Sequence, residues 1–435
     1  MQFKSTHSHG PQVSFKDAVL RCLPPDGGLY VPSKVLDLRQ FFLNMDDETC
    51  FHELVAAVAP SLLQGELNPF SAGRVAESAF DFEPEIMELD GTYSLLNLYN
   101  GPTGNFKDFG IAFLAAVLEE LLKNNRQAMI LSAARGNSGV SMGRAFQGRR
   151  GLTSVMLYPS GPIRGLDSAS FVPNGGNVIP IQVRGTLDDC QRLVNETIND
   201  RPFAQRYGIT SANAINLGRL LPQAFYYLYA FMKVKKRLSG DLVFSIPSGN
   251  FGNLISGLYA WKFGLPASGF IAAMNANNAF GDFIQGREFS SRPVIATNSP
   301  ALDVSAPSNY ARLCSFYDEA PAVMRNMVFP ASIDDNKTLK AMELAWKQYG
   351  ALLDPHSAVA FAAAQDFVQS GKFSGAHIVV LATGHPAKEA SLVRAATGQI
   401  VPLPERLNLL KKEADPIAII DPHLEVLEHT IAACF

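Results

Sequence analysis

Three short apolar runs in this chain each end at a polar or glycine-bearing loop that leads into a helix. That alternation limits the fold more than any other feature of the sequence. Residues 129–133 (MILSA) run into Arg135-Gly136-Asn137-Ser138-Gly139 and a helix expected over 141–147. Residues 242–246 (LVFSI) run into Ser248-Gly249-Asn250-Phe251-Gly252-Asn253 and a further helix, and residues 377–382 (HIVVLA) into Thr383-Gly384-His385-Pro386. Further strands are expected at 152–158, 178–183 and 270–274, and helices at 110–122, 188–197 and 219–236. Strands alternating with helices imply α/β architecture, with mainly parallel sheets covered on both faces. Ligands of such sheets sit at the carboxyl ends of the strands, where all three loops fall.

The first ninety residues read differently. Pro24-Pro25-Asp26-Gly27-Gly28 is a turn signal, Leu29-Tyr30-Val31-Pro32 is extended, and a helix is expected over 51–63, which together suggest a separate N-terminal unit. A length of 435 residues is enough for two or three domains. A formal net charge of −3 gives no general attraction to nucleic acid or to an anionic membrane, so any anion must be gripped locally. No apolar run is long enough to suggest a membrane span, and the start MQFKSTHSHG has no signal-peptide pattern. Cys22, Cys50, Cys190, Cys314 and Cys434 are odd in number, widely spaced and without a CxxC pair. They read as mostly buried, reduced thiols of a cytoplasmic protein, with no metal site. His7 and His9 read as part of a flexible terminus.

Each candidate segment has a structural explanation beside its chemical one. The glycines of Ser248–Asn253 let a backbone approach a ligand, and the following helix turns free N–H groups toward an anion. The same loop serves as a tight strand–helix turn. Its spacing is neither GxGxxG nor GxxxxGK[ST], which excludes the usual dinucleotide and nucleotide-triphosphate fingerprints. Asn137 and Ser138 suit either ligand binding or helix capping, and so does Thr383. Lys107 stands between Phe106 and Asp108-Phe109 at the start of an apolar helix. A desolvated lysine there has a lowered pKa and is available as a nucleophile or base, whereas a solvated one is merely a surface residue.

Jointly and in order, these segments resemble the threonine synthases, pyridoxal 5′-phosphate (PLP) enzymes of fold type II. The resemblance runs through Val13-Ser14-Phe15, Pro25 to Pro32, Gly101-Pro102-Thr103, Phe106 to Gly110, Ser211-Ala212-Asn213, Ile215-Asn216 and Arg219. It continues through Pro247 to Asn253, Thr297, Ser299-Pro300-Ala301, Asp303, Pro307-Ser308-Asn309, Asp354-Pro355-His356 and His385-Pro386-Ala387-Lys388. It implies two α/β domains with mainly parallel sheets and the cofactor between them, preceded by an N-terminal domain. The expected boundaries are 1–93 for the N-terminal domain, and 94–127 with 226–400 for a larger PLP-binding domain. A smaller domain carrying the Asn137 loop is expected over 128–225, and a C-terminal extension over 401–435. Lys107 is implied as the Schiff-base lysine. Phe106, Asn137, Ser248, Gly249, Asn250, Phe251, Gly252, Asn253 and Thr383 are implied as cofactor-binding. Asn137 would lie beside the 3′-oxygen and Thr383 would face the ring nitrogen. Arg135, Ser138, Arg164, Asn213, Asn216 and Arg219 are expected on the substrate side. The implied reaction takes O-phosphohomoserine and water to threonine and phosphate by γ-elimination and β-addition. The partner is then a small anionic amino acid, and the resemblance leaves a homodimer open.

The departures cluster on the substrate side. The family loop usually reads T-S-G-[DN]-T-G, and here it is Ala134-Arg135-Gly136-Asn137-Ser138-Gly139. Asn100 replaces a usual histidine, and Arg164 to Asp167 replaces an S-x-x-Q segment. A guanidinium at 135 alters which anion fits. The alternative is therefore a paralogue acting as a phospholyase or on another γ-substituted amino acid. Intact Lys107 and an intact Ser248–Asn253 loop argue against a catalytically silent homologue.

Overall fold

A computed structural model describes residues 1–7, 10–123, 127–133, 136–160, 176–278, 281, 283, 292–408 and 416–434. Ala134, Arg135, His9 and residues 164–167 lie outside the described residues.

The N-terminal unit is built on a small antiparallel sheet. Strand β1 (Gln2–Ser5) lies between β2 (Val13–Ser14) and β3 (Tyr30–Pro32). Its side chains alternate, so Phe3 is fully buried while Gln2 and Lys4 face water. The terminus expected to be flexible is thus pinned, and His7 Nδ1 sits 3.0 Å from the Asp26 carbonyl oxygen. Ser14 caps α1 (Phe15–Arg21) by accepting from the Asp17 N–H at 3.2 Å. Helices α2 (Arg39–Asn44), α3 (Phe51–Leu62) and α4 (Pro69–Ala79) complete the unit. Phe51 on α3 meets Phe80, Phe109 and Tyr229 edge-on at 5.1, 5.3 and 5.6 Å, which joins the unit to the two helices that carry the last two of these rings.

The larger sheet contains β4 (Glu85–Glu88), β5 (Tyr93–Asn97), β10 (Leu242–Pro247), β11 (Gly269–Met274), β12 (Val328–Ser332) and β13 (His377–Ala382). Its order is β12-β11-β10-β13-β5-β4, parallel throughout except for β4. The central strands read as continuous apolar runs because both faces are covered. Phe244 and Ile246 enter one core, which also takes in the helix face of Phe109 to Leu118. Val243, Ile271 and Val380 enter the other, against Ala358 to Ala364. The smaller sheet is wholly parallel, in the order β14-β8-β7-β6-β9. It comprises β6 (Ala128–Ala133), β7 (Leu152–Pro159), β8 (Val178–Val183), β9 (Ile209–Thr210) and β14 (Ala418–Ile420).

Two parallel α/β sheets behind an N-terminal unit match the expected architecture. β4, drawn from residues 1–93, forms an edge of the larger sheet, and β14, drawn from residues 401–435, forms an edge of the smaller one. Helix α5 (Lys107–Leu121) starts at Lys107, and α6 (Gly136–Phe146) begins five residues before the expected start. Gly136, Asn137 and Ser138 are therefore a helical first turn, not a loop. Between α6 and the next site segment lie α7 (Leu187–Asn199) and α8 (Arg201–Tyr207). The expected helix 219–236 is broken into α9 (Leu217–Leu220), a 3₁₀ turn Leu221–Gln223 and α10 (Ala224–Val234). Pro222 lies at the break, where it lacks an N–H and crowds the preceding turn. Helix α11 (Gly252–Lys262) follows β10. The five cysteines are free thiols, but only Cys22 and Cys190 are buried. Among the described residues no helix is long and apolar enough to cross a membrane.

Candidate active site

Strands β10, β13 and β5 are parallel neighbours, so their carboxyl ends lie along one sheet edge. The loop after β10 holds Ser248 to Asn253, the loop after β13 holds Thr383, and the loop after β5 leads to Lys107. Main-chain bonds join the last two. The Phe106 N–H donates to the Thr383 carbonyl at 3.0 Å, the His385 N–H donates to the Gly104 carbonyl at 3.0 Å, and Asn105 bridges Gly384.

Asp108 folds the loop before Lys107. Its carboxylate accepts from the Thr103 N–H at 2.8 Å and the Thr103 hydroxyl at 2.5 Å. Thr103 Oγ1 also meets Ser141 Oγ on α6 at 2.7 Å, which ties the two sheets' helices together. Gly101 must be glycine, since a Cβ there would stand 2.6 Å from Asp108 Oδ2. Burial holds the Asp108 carboxyl above its ordinary pKa, against the pull of these hydrogen bonds.

Lys107 is half-buried, with Nζ 5.8 Å from the Phe106 ring centre. Its amine is lowered to about 7, chiefly by burial, then by the Arg219 and Lys388 charges, with Asp108 opposing. Arg219, on α9, is 5% exposed. It donates Nη1 to the Ala212 carbonyl at 2.6 Å and leaves Nε buried without a partner. Burial lowers this guanidinium to about 10. A buried cation with no carboxylate partner among the described residues is a ready anion site.

The Ser248–Asn253 segment offers main-chain donors more than side chains. Ser248 Oγ donates to the Ile246 carbonyl at 2.8 Å, and its N–H donates to the Ala273 carbonyl at 2.7 Å. The Asn250 amide is clamped to Ser308, with Nδ2 2.8 Å from Ser308 Oγ. Asn253 Oδ1 accepts from the Tyr226 and Tyr227 hydroxyls at 2.7 Å each, and its Nδ2 is buried without a partner. The N–H groups of Gly249, Asn250, Gly252 and Asn253 have no acceptor among the described residues. Phe251, at φ 58°, is left-handed and turns the chain into α11. Gly249 must be glycine because a Cβ would stand 2.9 Å from the Ala301 carbonyl oxygen.

Thr383 is 7% exposed, and its hydroxyl has no partner among the described residues. Its N–H donates to Ser357 Oγ at 2.9 Å. Ser357 in turn bonds Asp354, whose Oδ2 is 2.6 Å from His356 Nδ1, and His356 Nε2 accepts from the Ala301 N–H at 3.1 Å. Ala301 is the residue pressed against Gly249. A chain of bonds therefore runs from the Thr383 loop to Ala301, which packs against Gly249.

Asn137 Oδ1 accepts from Lys388 Nζ at 2.6 Å, and Ser138 is half-buried on the same first turn of α6. Burial lowers Lys388 to about 8. The sequence reading placed Lys388 in a motif but gave it no role, and the same is true of Asp108, Asp354 and His356. The side chains of Asn213 and Asn216, both expected on the substrate side, bond the protein itself. Asn213 places its Oδ1 and Nδ2 2.9 Å from the N–H and carbonyl of Ala133, at the end of β6. Asn216 is fully buried, its Nδ2 bonded to Val19 O, Thr210 Oγ1 and Ser211 O and its Oδ1 to the Gly218 N–H. Neither amide group of Asn216 is left for a ligand. Arg135 and Arg164 are outside the described residues.

A family model described as pyridoxal-phosphate dependent enzyme matches residues 89–384. Models for the threonine synthase N terminus and the threonine synthase C-terminal region match residues 2–79 and 357–431. Threonine synthases of Serratia marcescens and Escherichia coli (strain K12) are each 33% identical over all of this chain and 97% of their own length. The crystal structure of threonine synthase from Escherichia coli superposes with a TM-score of 0.88 at 30% identity, covering all of both chains. That of PLP-bound threonine synthase from Brucella melitensis gives 0.88 at 27%, covering 100% of this chain and 99% of the other. With both α/β sheets and the N-terminal unit inside these matches, the chain belongs to the pyridoxal-phosphate dependent enzymes of fold type II and, within them, to the threonine synthases.

Proposed function

We propose that this chain is a PLP-dependent lyase that converts O-phosphohomoserine and water to threonine and phosphate, by γ-elimination followed by β-addition. The observation that carries the reading is the pairing of a lowered Lys107 amine with the unpaired, buried Arg219 guanidinium at the edge where three parallel strands end.

The residues fit the cofactor. Lys107 offers an amine to its aldehyde. The open N–H groups at the start of α11 suit its phosphate, and the orphaned Asn253 Nδ2 lies in the same turn. Asn137, with Oδ1 held by Lys388, presents Nδ2 for the 3′-oxygen. The Thr383 hydroxyl suits the ring nitrogen without forcing it to be protonated, and the Phe106 ring helps wall the site. When bound, PLP supplies the electron sink that acidifies the carbons of an amino acid joined to it.

The chain's own groups supply the remaining steps. With a pKa of about 7, the Lys107 amine is neutral often enough near neutral pH to take the α-proton and then a β-proton, and to return one afterwards. Arg219 holds an anionic group of the substrate, and Ser138 with the first N–H groups of α6 serves the other. Asn213 and Asn216 shape the segment that delivers Arg219. The phospholyase alternative rests on the departures at Ala134-Arg135, Asn100 and Arg164 to Asp167, of which only Asn100 lies among the described residues.

Purified protein should be yellow, and with O-phosphohomoserine it should release phosphate and threonine in equal amounts. Lys107→Ala should abolish both the visible band and turnover. An unchanged spectrum in that variant would remove Lys107 from its role, and 2-oxobutyrate as the main product would replace synthase by phospholyase.

A further inference from the structure

Arg312 lies on the helix Tyr310–Glu319 and is fully buried. It donates Nε to Tyr30 O at 3.0 Å, Nη1 to Ala214 O at 3.2 Å and Nη2 to Ile215 O at 2.7 Å. Among the described residues no carboxylate lies within ion-pair distance of it. Its remaining partner is Asn309 Oδ1, which accepts from Nη1 at 2.7 Å. A guanidinium can only donate, so the Asn309 atom facing it must be the oxygen. That bond fixes the amide, and Asn309 Nδ2 points away from Arg312.

Asn309 Nδ2 has no partner, although Asn309 is 0% exposed. It lies 3.5 Å from where a Cβ on Gly252 would stand, at the first residue of the eleven-residue α11. The preceding residue, Ser308, is bonded to Asn250, so the segment is docked on the glycine-bearing loop from outside. A buried amide donor without an acceptor is destabilising unless a ligand provides one. Here it faces a helix start whose own N–H groups are open.

We propose that Asn309, oriented by Arg312, donates Nδ2 to the anion held at the start of α11 and so acts as a ligand of the cofactor phosphate from outside the Ser248–Asn253 loop. This rests on the reading that the loop takes that phosphate. It also explains why a charge is buried at Arg312 with only carbonyl and amide oxygens as its hydrogen-bond acceptors. The guanidinium holds Asn309 in place, and the phosphate supplies negative charge one residue beyond.

The test compares PLP with pyridoxal, which lacks the phosphate. Each is titrated by absorbance into cofactor-free wild-type protein, Asn309→Ala and Asn309→Asp. Asn309→Asp keeps an acceptor for Arg312, so it tests the donor even if the alanine variant does not fold. Both variants should bind PLP about 10- to 100-fold more weakly, with pyridoxal affinity unchanged. The phosphorus resonance of bound PLP should also move. PLP binding at wild-type strength, or equal loss of PLP and pyridoxal, overturns the assignment. A wild-type protein that binds PLP no better than pyridoxal would instead refute the phosphate reading of the loop, before any substitution is considered.

Discussion

At Lys107 the burial that makes the amine useful also makes it unfavourable to fold while charged. Its pKa falls from the ordinary 10.5 to about 7 in the cofactor-free chain. Between those values the unfolded chain binds a proton that the folded chain does not, so this residue makes stability rise with pH across that window. Below about 7 both states are protonated, and its contribution is flat. The urea midpoint of cofactor-free wild-type protein should therefore gain on that of Lys107→Met between pH 7 and pH 10. A constant gap would mean that the amine is not held low. Arg219 acts on the same amine and, in the role proposed for it, on the substrate. Arg219→Met should raise KM for O-phosphohomoserine about tenfold or more, while PLP affinity changes little. Equal losses in both would make Arg219 a purely structural residue.

Helices α5 and α9 carry these two residues, and their contact is set by Gly110. A Cβ there would stand 2.2 Å from the Arg219 carbonyl oxygen and 3.0 Å from Gln223 Nε2. The obstacle is backbone, which cannot swing aside. Gly110→Ala should lower stability by about 1–3 kcal/mol in urea unfolding, with activity falling because Lys107 and Arg219 move apart. An unchanged midpoint would show that the helices separate freely. The elements at this site were legible where burial is uniform. β13 ends at Ala382, where the apolar run ends, because Ile378 to Ala382 are all buried and none of them is polar. Reading failed where neighbours decide. Asn137 looked like loop because its glycine-rich surroundings suggest one, yet Gly136 opens α6. The helix across 219–236 followed its apolar spacing and ignored Pro222. Lys107 gained its role from ordered motifs around it. Asn309 stood in the Pro307-Ser308-Asn309 match but received no role there, since its significance lies in an Arg312 contact and a Gly252 approach, and sequence spacing does not encode either.

Across the whole molecule, the N-terminal unit is part of the scaffold that holds the segment leading to Arg219. Val19 O accepts from Thr210 Oγ1 at 2.6 Å and from Asn216 Nδ2 at 3.0 Å, and Arg201 Nη2 reaches Leu23 O at 2.6 Å. The segment between β9 and α9 is thus anchored to α1 on one side and opens into Arg219 on the other. Sequence resemblance placed Asn216 at the substrate, whereas its bonds place it in this anchor, and the two roles predict different kinetics. A substrate ligand would, on Asn216→Ala, raise KM and leave the urea midpoint alone. An anchor would leave Ser211 O and the Gly218 N–H without the Asn216 amide in the interior, and Val19 O with Thr210 Oγ1 alone. That should reduce stability by about 1–3 kcal/mol. It should also raise KM for O-phosphohomoserine, because Arg219 loses its fixed approach. A stability loss accompanying the KM change would therefore assign Asn216 to the junction between the N-terminal unit and the catalytic sheets. A KM change with no stability loss would return it to the substrate.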